Sequence, residues 1–178
     1  MEQSSILIQY IHTIIKVKGH ITDVVVILLR ASLENLPNGY ICLSTAERQS
    51  LASKTRRNIG VDQERIGKKP DVMGLVENEE KINEILYFEC SRITQKKADN
   101  SMKLWRETLD GLCFVGATCR LMANQFGVVG VQVAGTVIYL NILVKGLGGI
   151  PRYFHLGHAE IPLMLSTQQC VNSLVDLF

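Results

Sequence analysis

The spacing of apolar residues changes near residue 96, and this change constrains the fold of the chain more than any other feature. Before it, the run "INEILYFECS" has the period of two that is typical of a β-strand. After it, apolar residues recur at intervals of three and four up to Met122, which predicts a long amphipathic helix capped by Asn100 or Ser101. The residues predicted to face the core from this helix are Met102, Trp105, Leu109, Leu112, Gly116 and Cys119.

A second strand is predicted directly before "INEILYFECS". The run "PDVMGLV" is short and apolar, and the polar turn "ENEE" follows it, so the two runs are expected to form an antiparallel hairpin. One face of the second strand is predicted to carry Ile85, Tyr87, Glu89 and Ser91. The other face is predicted to carry Ile82, Glu84, Leu86, Phe88 and Cys90, the last as a core thiol.

The remaining segments complete an α/β arrangement. The stretch "STAERQSLASKTRRNIG" predicts a helix that is capped by Ser44 or Thr45 and ended by Gly60. After the long helix, "QFGVVGVQVAG" and "TVIYLNILV" predict two strands, and "GLGGIPRYFH" predicts a Gly-rich turn with one more short strand. A terminal helix is predicted from Ser166. We therefore predict an α/β fold in which helices flank a mixed sheet.

Size and composition indicate a globular, intracellular protein. The 178 residues are 47% apolar and 20% charged, which is enough for a folded core in one domain. We assign residues 43–178 to the α/β domain and residues 1–42 to an apolar N-terminal extension, for which helix and strand both stay open. The longest apolar run in the extension, Val24 to Leu29, is too short to cross a bilayer. Five scattered cysteines without a CxxC pair fit reduced thiols, so we expect a nuclear or cytoplasmic protein without a membrane partner. The sequence leaves the oligomeric state open.

Charge is distributed unevenly in the middle of the chain. Residues 43–70 carry seven basic and three acidic side chains, whereas residues 71–100 carry four basic and seven acidic ones. A basic segment next to an acidic one suits a site that holds a phosphate backbone beside a metal ion. The residues predicted to contact nucleic acid are Lys54, Arg56, Arg57, Lys68 and Lys69. The alternative is a pair of solvated faces of opposite charge.

Two acids are expected to meet at one end of the predicted hairpin. Asp71 opens its first strand and Glu89 lies near the end of its second, so both side chains come to the same edge. Two converging carboxylates can hold a hard divalent cation, which polarises a phosphodiester and lowers the pKa of bound water. The alternatives are that Asp71 only begins a strand and that Glu89 forms a salt bridge to Arg92 or Lys97.

The stretch "HLGH" is a weaker metal-binding pattern. His155 and His158 could both contact a metal ion, but the sequence places no third ligand near them.

The chain resembles the PD-(D/E)xK nuclease superfamily at Pro70-Asp71 and at Glu89-Cys90-Ser91. It is also similar to a group of uncharacterised fungal proteins with this core, in the segments "GKKPDVMG", "ECSR", "KLWRETLDGL", "FGVVGVQVAG" and "GGIPRYF". The resemblance covers about residue 45 to the C-terminus and implies the restriction-endonuclease-like fold.

The resemblance also implies roles for individual residues. Asp71 and Glu89 would be Mg²⁺ ligands, and the position of the catalytic lysine is occupied by Ser91, which is a departure from the pattern. Some members of the superfamily carry this lysine on the next helix, where Lys97 and Lys103 are candidates. Further candidates for the site are Glu47 on the preceding helix and Gln132 on a later strand.

Two functions from different classes follow from this resemblance. The first is a divergent Mg²⁺-dependent nuclease that acts on phosphodiester bonds of DNA, with Asp71, Glu89 and Ser91 in its site. The second is a catalytically inactive domain of the same fold that binds nucleic acid or protein. The retained acids favour the first, and Ser91 in place of lysine favours the second.

Overall fold

The protein is described here from a computed structural model. The structure describes residues 21–33, 40–45, 48–78, 80–91, 97–119 and 125–161, with residues 172, 176 and 177.

This part of the chain contains three helices and six strands. The helices are α1 (Ile21–Leu33), α2 (Leu51–Arg57) and α3 (Lys97–Cys119). The strands are β1 (Cys42–Ser44), β2 (Val72–Asn78), β3 (Lys81–Ser91), β4 (Gly127–Ala134), β5 (Val137–Lys145) and β6 (Pro151–Glu160). Helix α1 lies in the extension for which the sequence left helix and strand open.

All six strands form one sheet in chain order, from β1 to β6. Strands β3 and β4 are parallel, and every other neighbouring pair is antiparallel. The parallel pair requires a crossover, and α3 occupies it. The predicted α/β fold, with a mixed sheet flanked by helices, is confirmed, as is the hairpin of β2 and β3. The finer assignment to a restriction-endonuclease-like core stays a prediction.

The sheet is covered on both faces, and each face has its own core. Helix α1 packs Val25 and Leu29 onto one face, against Val72, Leu86 and Phe88. Helix α3 packs onto the other face. The core on that face comprises Leu104, Leu112, Met73, Leu75, Tyr87, Val128 and Leu143. Side chains that point toward α3 are therefore candidates for a site between the helix and the sheet. The division of the chain at residue 42 stays a prediction, although α1 shares its core with strands of the α/β domain.

A bulge in β3 changes the predicted faces of that strand. Leu75 pairs with Glu84 and Gly74 pairs with Leu86, so Ile85 is an extra residue that resets the alternation. The sequence predicted Glu84 and Tyr87 on opposite faces of the strand, and this prediction was wrong. The Tyr87 hydroxyl donates a hydrogen bond to Glu84 Oε2 at 2.8 Å, so both side chains lie on the α3 face.

The buried stripe of α3 is rotated from the predicted one. Met102 was predicted to face the core, but 52% of its surface is exposed. Trp105 and Leu109 pack only at the edge of the core. The buried residues of this helix include Leu104, Glu107, Thr108, Asp110, Leu112 and Val115. Hydrophobic spacing misplaced the stripe because a charged residue, Glu107, belongs to it.

The predicted helix starts also need correction. Ser44 is the last residue of β1, and α2 begins only at Leu51, where the Ser50 side chain accepts a hydrogen bond from the Ser53 N–H at 3.0 Å. Neither Asn100 nor Ser101 caps α3, because that helix already begins at Lys97.

Strand β6 is longer than predicted, because it spans ten residues from Pro151 to Glu160 and nine of them pair with β5. The helix predicted from Ser166 falls on residues of which the structure describes only 172, 176 and 177. Within the described ranges, none of the helices has the length and apolar character needed to cross a membrane.

Two glycines of α3 provide a test of the packing under the helix. A Cβ atom at Gly111 would lie 2.6 Å from the ring of Tyr87, whereas at Gly116 the nearest atom, in Phe126, is 3.5 Å away. We expect Gly111→Ala to lower the free energy of unfolding by about 1–3 kcal/mol through overpacking. Gly116→Ala should leave it unchanged or raise it by up to ~1 kcal/mol, because alanine favours helix. Urea denaturation of both variants checks this, and equal effects would contradict the close contact between Tyr87 and α3.

Candidate active site

Asp71 and Glu89 lie at the same end of the β2–β3 hairpin. Strand β2 begins at Val72, which pairs with Phe88 in the antiparallel register. Asp71 directly precedes Val72 and Glu89 directly follows Phe88, so the two acids are neighbours across the strands. The exposed Asp71 is held in place by the backbone, because its Oδ2 accepts a hydrogen bond from the Cys90 N–H at 2.7 Å. Its negative charge contributes to raising the pKa of Glu89. Two carboxylates from neighbouring strands therefore act on each other electrostatically.

Glu89 is buried against α3 and is paired with a lysine from that helix. Only 2% of Glu89 is exposed, and its Oε1 accepts a hydrogen bond from Lys103 Nζ at 2.5 Å. Burial raises the pKa of Glu89, and the bond to Lys103 opposes this shift. An unpaired carboxylate at this depth would cost several kcal/mol. Lys103 is therefore a partner of Glu89, whereas the predicted partners Arg92 and Lys97 have side chains outside the described part of the structure.

Lys103 keeps its positive charge in this environment. Burial alone would lower the pKa of Lys103, but the hydrogen bond and charge of Glu89, with the charges of Glu107 and Asp71, raise it overall. A lysine amine with a raised pKa is a poor base and a good charged donor. The side chain of Lys103 is partly open to solvent.

Glu107 is a third carboxyl group at the site, and the sequence analysis missed it. It follows Lys103 by one helical turn, with 3.8 Å between Nζ and Oε1, and is 1% exposed. Among the described residues, its polar neighbours are the Lys103 amine and the Glu89 carboxyl group. Burial first, and then the charge of Glu89, raise its pKa to about 9, although Lys103 opposes the shift. The available sequence signal was a Lys-x-x-x-Glu spacing on the core-facing side of the helix.

Gln132 lies beside Glu89, as the sequence analysis expected of a residue that lines the site. The two residues are partners in the parallel register of β3 and β4, so their side chains leave the sheet on the same face. Gln132 is buried, and its Oε1 accepts a hydrogen bond from Ser101 Oγ at 2.8 Å. The same row continues across the sheet through Tyr139 to His158.

The other predicted site residues are described only in part. Ser91 ends β3 and pairs with Ala134, and Lys97 begins α3, but the structure describes neither side chain. Glu47 lies outside the described residues.

Most of the predicted nucleic-acid contacts have internal partners. Lys54 pairs with Glu64 at 2.6 Å, and Arg56 pairs with the buried Asp110. Arg57 Nη1 donates a hydrogen bond to a backbone carbonyl oxygen at 2.6 Å. The side chains of Lys68 and Lys69 are exposed. The basic side chains of residues 43–70 thus help to fix α2 and the loop that follows it.

A second buried polar cluster fixes α2 beside the site. Glu84 accepts hydrogen bonds from Ser50 Oγ at 2.6 Å and from the Leu51 N–H at 2.5 Å, so it caps the start of α2. Burial and the nearby charge of Glu84 raise the pKa of Tyr87 well above its usual value, which keeps its hydroxyl a donor. This cluster explains why the strand carries a buried acid at Glu84 as well as at Glu89.

The oxygen ligands at this site are of the kind that Mg²⁺ prefers. Asp71 and Glu89 supply carboxylates, and the carboxyl group of Glu107 interacts with Glu89. Among the residues that the structure describes, no three His, Cys, Asp or Glu side chains are grouped closely enough to hold a metal ion by themselves. A bound cation would therefore take part of its coordination from water or substrate.

Comparison of the chain with family models, with curated proteins and with solved structures found no match. The chemistry of the site is therefore argued from its own residues.

Proposed function

We propose that this protein is a divalent-metal-dependent nuclease that hydrolyses phosphodiester bonds of DNA. The observation that supports this most is the Lys103 amine, which bonds the buried Glu89 at the strand end where Asp71 also lies. A lysine bonded to one carboxylate, with a second carboxylate at the same strand end, is the set of groups that the resemblance to PD-(D/E)xK nucleases implies. The lysine comes from α3, as in members of that superfamily that lack it two residues after the glutamate.

Each side chain has a distinct role in this proposal. Asp71 and Glu89 would hold Mg²⁺, which when bound polarises the phosphodiester and supplies water of lowered pKa. Lys103 donates to a phosphate oxygen, because its raised pKa keeps it charged through the reaction. Gln132 and Ser101, joined by their hydrogen bond, form the polar wall of the site on the β4 side.

The electrostatics of the site favour a cation beside the carboxylates. Three carboxyl groups, those of Asp71, Glu89 and Glu107, surround one lysine amine, and burial first, then the neighbouring acids, raise the pKa of both buried acids. Asp71 and Glu89 would share their negative charge with a bound divalent ion, and the amine of Lys103 would then be available to a phosphate oxygen. The same cluster without a metal ion is an arrangement that burial disfavours, and such arrangements concentrate at functional sites.

A DNA-binding domain without catalysis is the second candidate. It is favoured by Ser91 at the usual lysine position and by the exposed Lys68 and Lys69. Binding to DNA that weakens steeply with salt, without cleavage at any metal concentration, would establish it.

The test of the proposed nuclease is metal-dependent cleavage. Metal-free protein is incubated with labelled single-stranded and duplex DNA across a titration of Mg²⁺ or Mn²⁺, and cleavage is expected to require the metal. Asp71→Asn keeps an oxygen ligand but removes its charge, so the half-maximal metal concentration should rise on the order of tenfold. Asp62→Asn, in an exposed loop, is the matched control and should leave it unchanged. Cleavage that persists in EDTA, or an identical metal requirement in Asp71→Asn, would contradict the proposal.

A further inference from the structure

A bulge in the last strand brings two histidines to the same face of the sheet. Tyr139 pairs with His158 and Asn141 pairs with His155, although the histidines are three residues apart. On a regular strand this spacing would place the two side chains on opposite faces. Leu156 is an extra residue in the strand, so both histidines lie on the same face. Both rings pack against Tyr139, with ring centroids 5.9 and 5.8 Å away.

The side chain of Asn141, on the neighbouring strand, fixes the orientation of the His155 ring. The Asn141 amide nitrogen donates to the Gly130 carbonyl at 3.3 Å, so its Oδ1 is left as an acceptor. His155 Nδ1 lies 3.1 Å from that oxygen and must carry the hydrogen. In neutral His155 the lone pair is then on Nε2, which faces Nδ1 of His158 at 3.4 Å. Metal-bound histidines are oriented in the same way, by an acceptor on the far ring nitrogen.

The distance between the two facing nitrogens suits a pair of metal ligands. His155 Nε2 and His158 Nδ1 lie 3.4 Å apart, at the long end of the range for a hydrogen bond. Two imidazole nitrogens bound to tetrahedral zinc at about 2.0–2.1 Å are separated by about 3.3 Å. The two nitrogens are therefore spaced closely enough to bind one ion together.

We propose that His155 Nε2 and His158 Nδ1 together bind one late first-row divalent cation of the Zn²⁺, Ni²⁺ or Cu²⁺ class. Imidazole nitrogen suits these ions, whereas Mg²⁺ prefers oxygen. Both histidines are exposed, so water completes the coordination. With neighbouring strands about 4.8 Å apart, three strand spacings separate His158 from Glu89, or about 14 Å. The histidine site is therefore separate from the carboxylate site, and its occupancy does not depend on the proposed nuclease activity.

Calorimetric titration of the metal-free full chain with Zn²⁺ and Ni²⁺ tests this site. His155→Gln and His158→Gln should each remove one binding step, and Asn141→Ala should weaken that step about 10–100-fold by releasing the ring. His20→Gln is the matched control and should leave all steps in place. A saturating concentration of Mg²⁺ should not compete for the site.

A second measurement does not depend on the variants. Zn²⁺ added to the wild-type protein should shift the imidazole NMR signals of His155 and His158 ahead of those of the two other histidines. Binding isotherms unchanged in both histidine variants, or Zn²⁺ shifts confined to other residues, would overturn the proposal.

Discussion

Lys103→Met is expected to lower kcat for DNA cleavage by on the order of 10²–10³, with a much smaller change in KM. The amine is the one described cation in contact with buried Glu89, and its raised pKa makes it a charged donor for the phosphate as negative charge develops. Methionine keeps the length and apolar stem of the side chain but cannot donate. Single-turnover cleavage at saturating Mn²⁺ measures the effect on the chemical step directly.

Two further variants separate a catalytic role of Lys103 from a structural one. Lys81→Met, at the exposed far end of the same hairpin, should retain the wild-type rate. Ser91→Lys in the Lys103→Met background should recover part of the lost rate, since it returns a lysine to the position implied by the superfamily pattern. A Lys103→Met protein that is folded by circular dichroism and cleaves at the wild-type rate would refute the assignment.

The acid pair was predictable because it depends on local features of the sequence. The period-two pattern of "INEILYFECS", the polar turn before it and the apolar "PDVMGLV" together specify a hairpin, and a hairpin brings Asp71 beside Glu89. The parallel pairing of Gln132 with Glu89 followed less directly, from the crossover helix that must return the chain to the same sheet.

The lysine and the third acid could not be chosen from the sequence in the same way. Which face of α3 contacts the sheet depends on how the whole helix packs, and the helix buries Glu107 while it exposes Met102. A hydrophobic pattern cannot anticipate that an ionisable residue is buried. Lys97 and Lys103 are therefore equivalent candidates in the sequence, and tertiary packing brings Lys103 to Glu89.

Bulges and strand pairing account for the other differences. The extra residue at Ile85 moves Glu84 to the α3 face, and the pairing of β1 with β2 keeps Ser44 out of the helix. Neither feature has a distinct residue signature, because a bulge of this kind tolerates many side chains.

Glu107→Gln is expected to raise the free energy of unfolding at pH 7 by roughly 3 kcal/mol. In the folded protein the pKa of Glu107 is about 9, against the ordinary value of 4.5, so the native state holds a proton that the unfolded chain releases. For a group with a raised folded pKa, stability is full below the unfolded pKa and falls as pH rises toward the folded one. The wild type should therefore lose stability from Glu107 between about pH 4.5 and 9, and glutamine, which does not ionise, removes this loss.

Urea denaturation at pH 5, 7 and 9 measures the difference between wild type and variant, which should grow with pH. Glu77→Gln, at an exposed position of β2, is the control and should follow the wild type. If Glu107→Gln gives no more stability at pH 9 than at pH 5, the carboxyl is not the buried neutral group that its surroundings imply. A variant that is more stable but needs more Mg²⁺ for cleavage would explain why the chain keeps an acid at this position. The acid lowers the stability of the free protein, and this loss is recovered when a cation occupies the site.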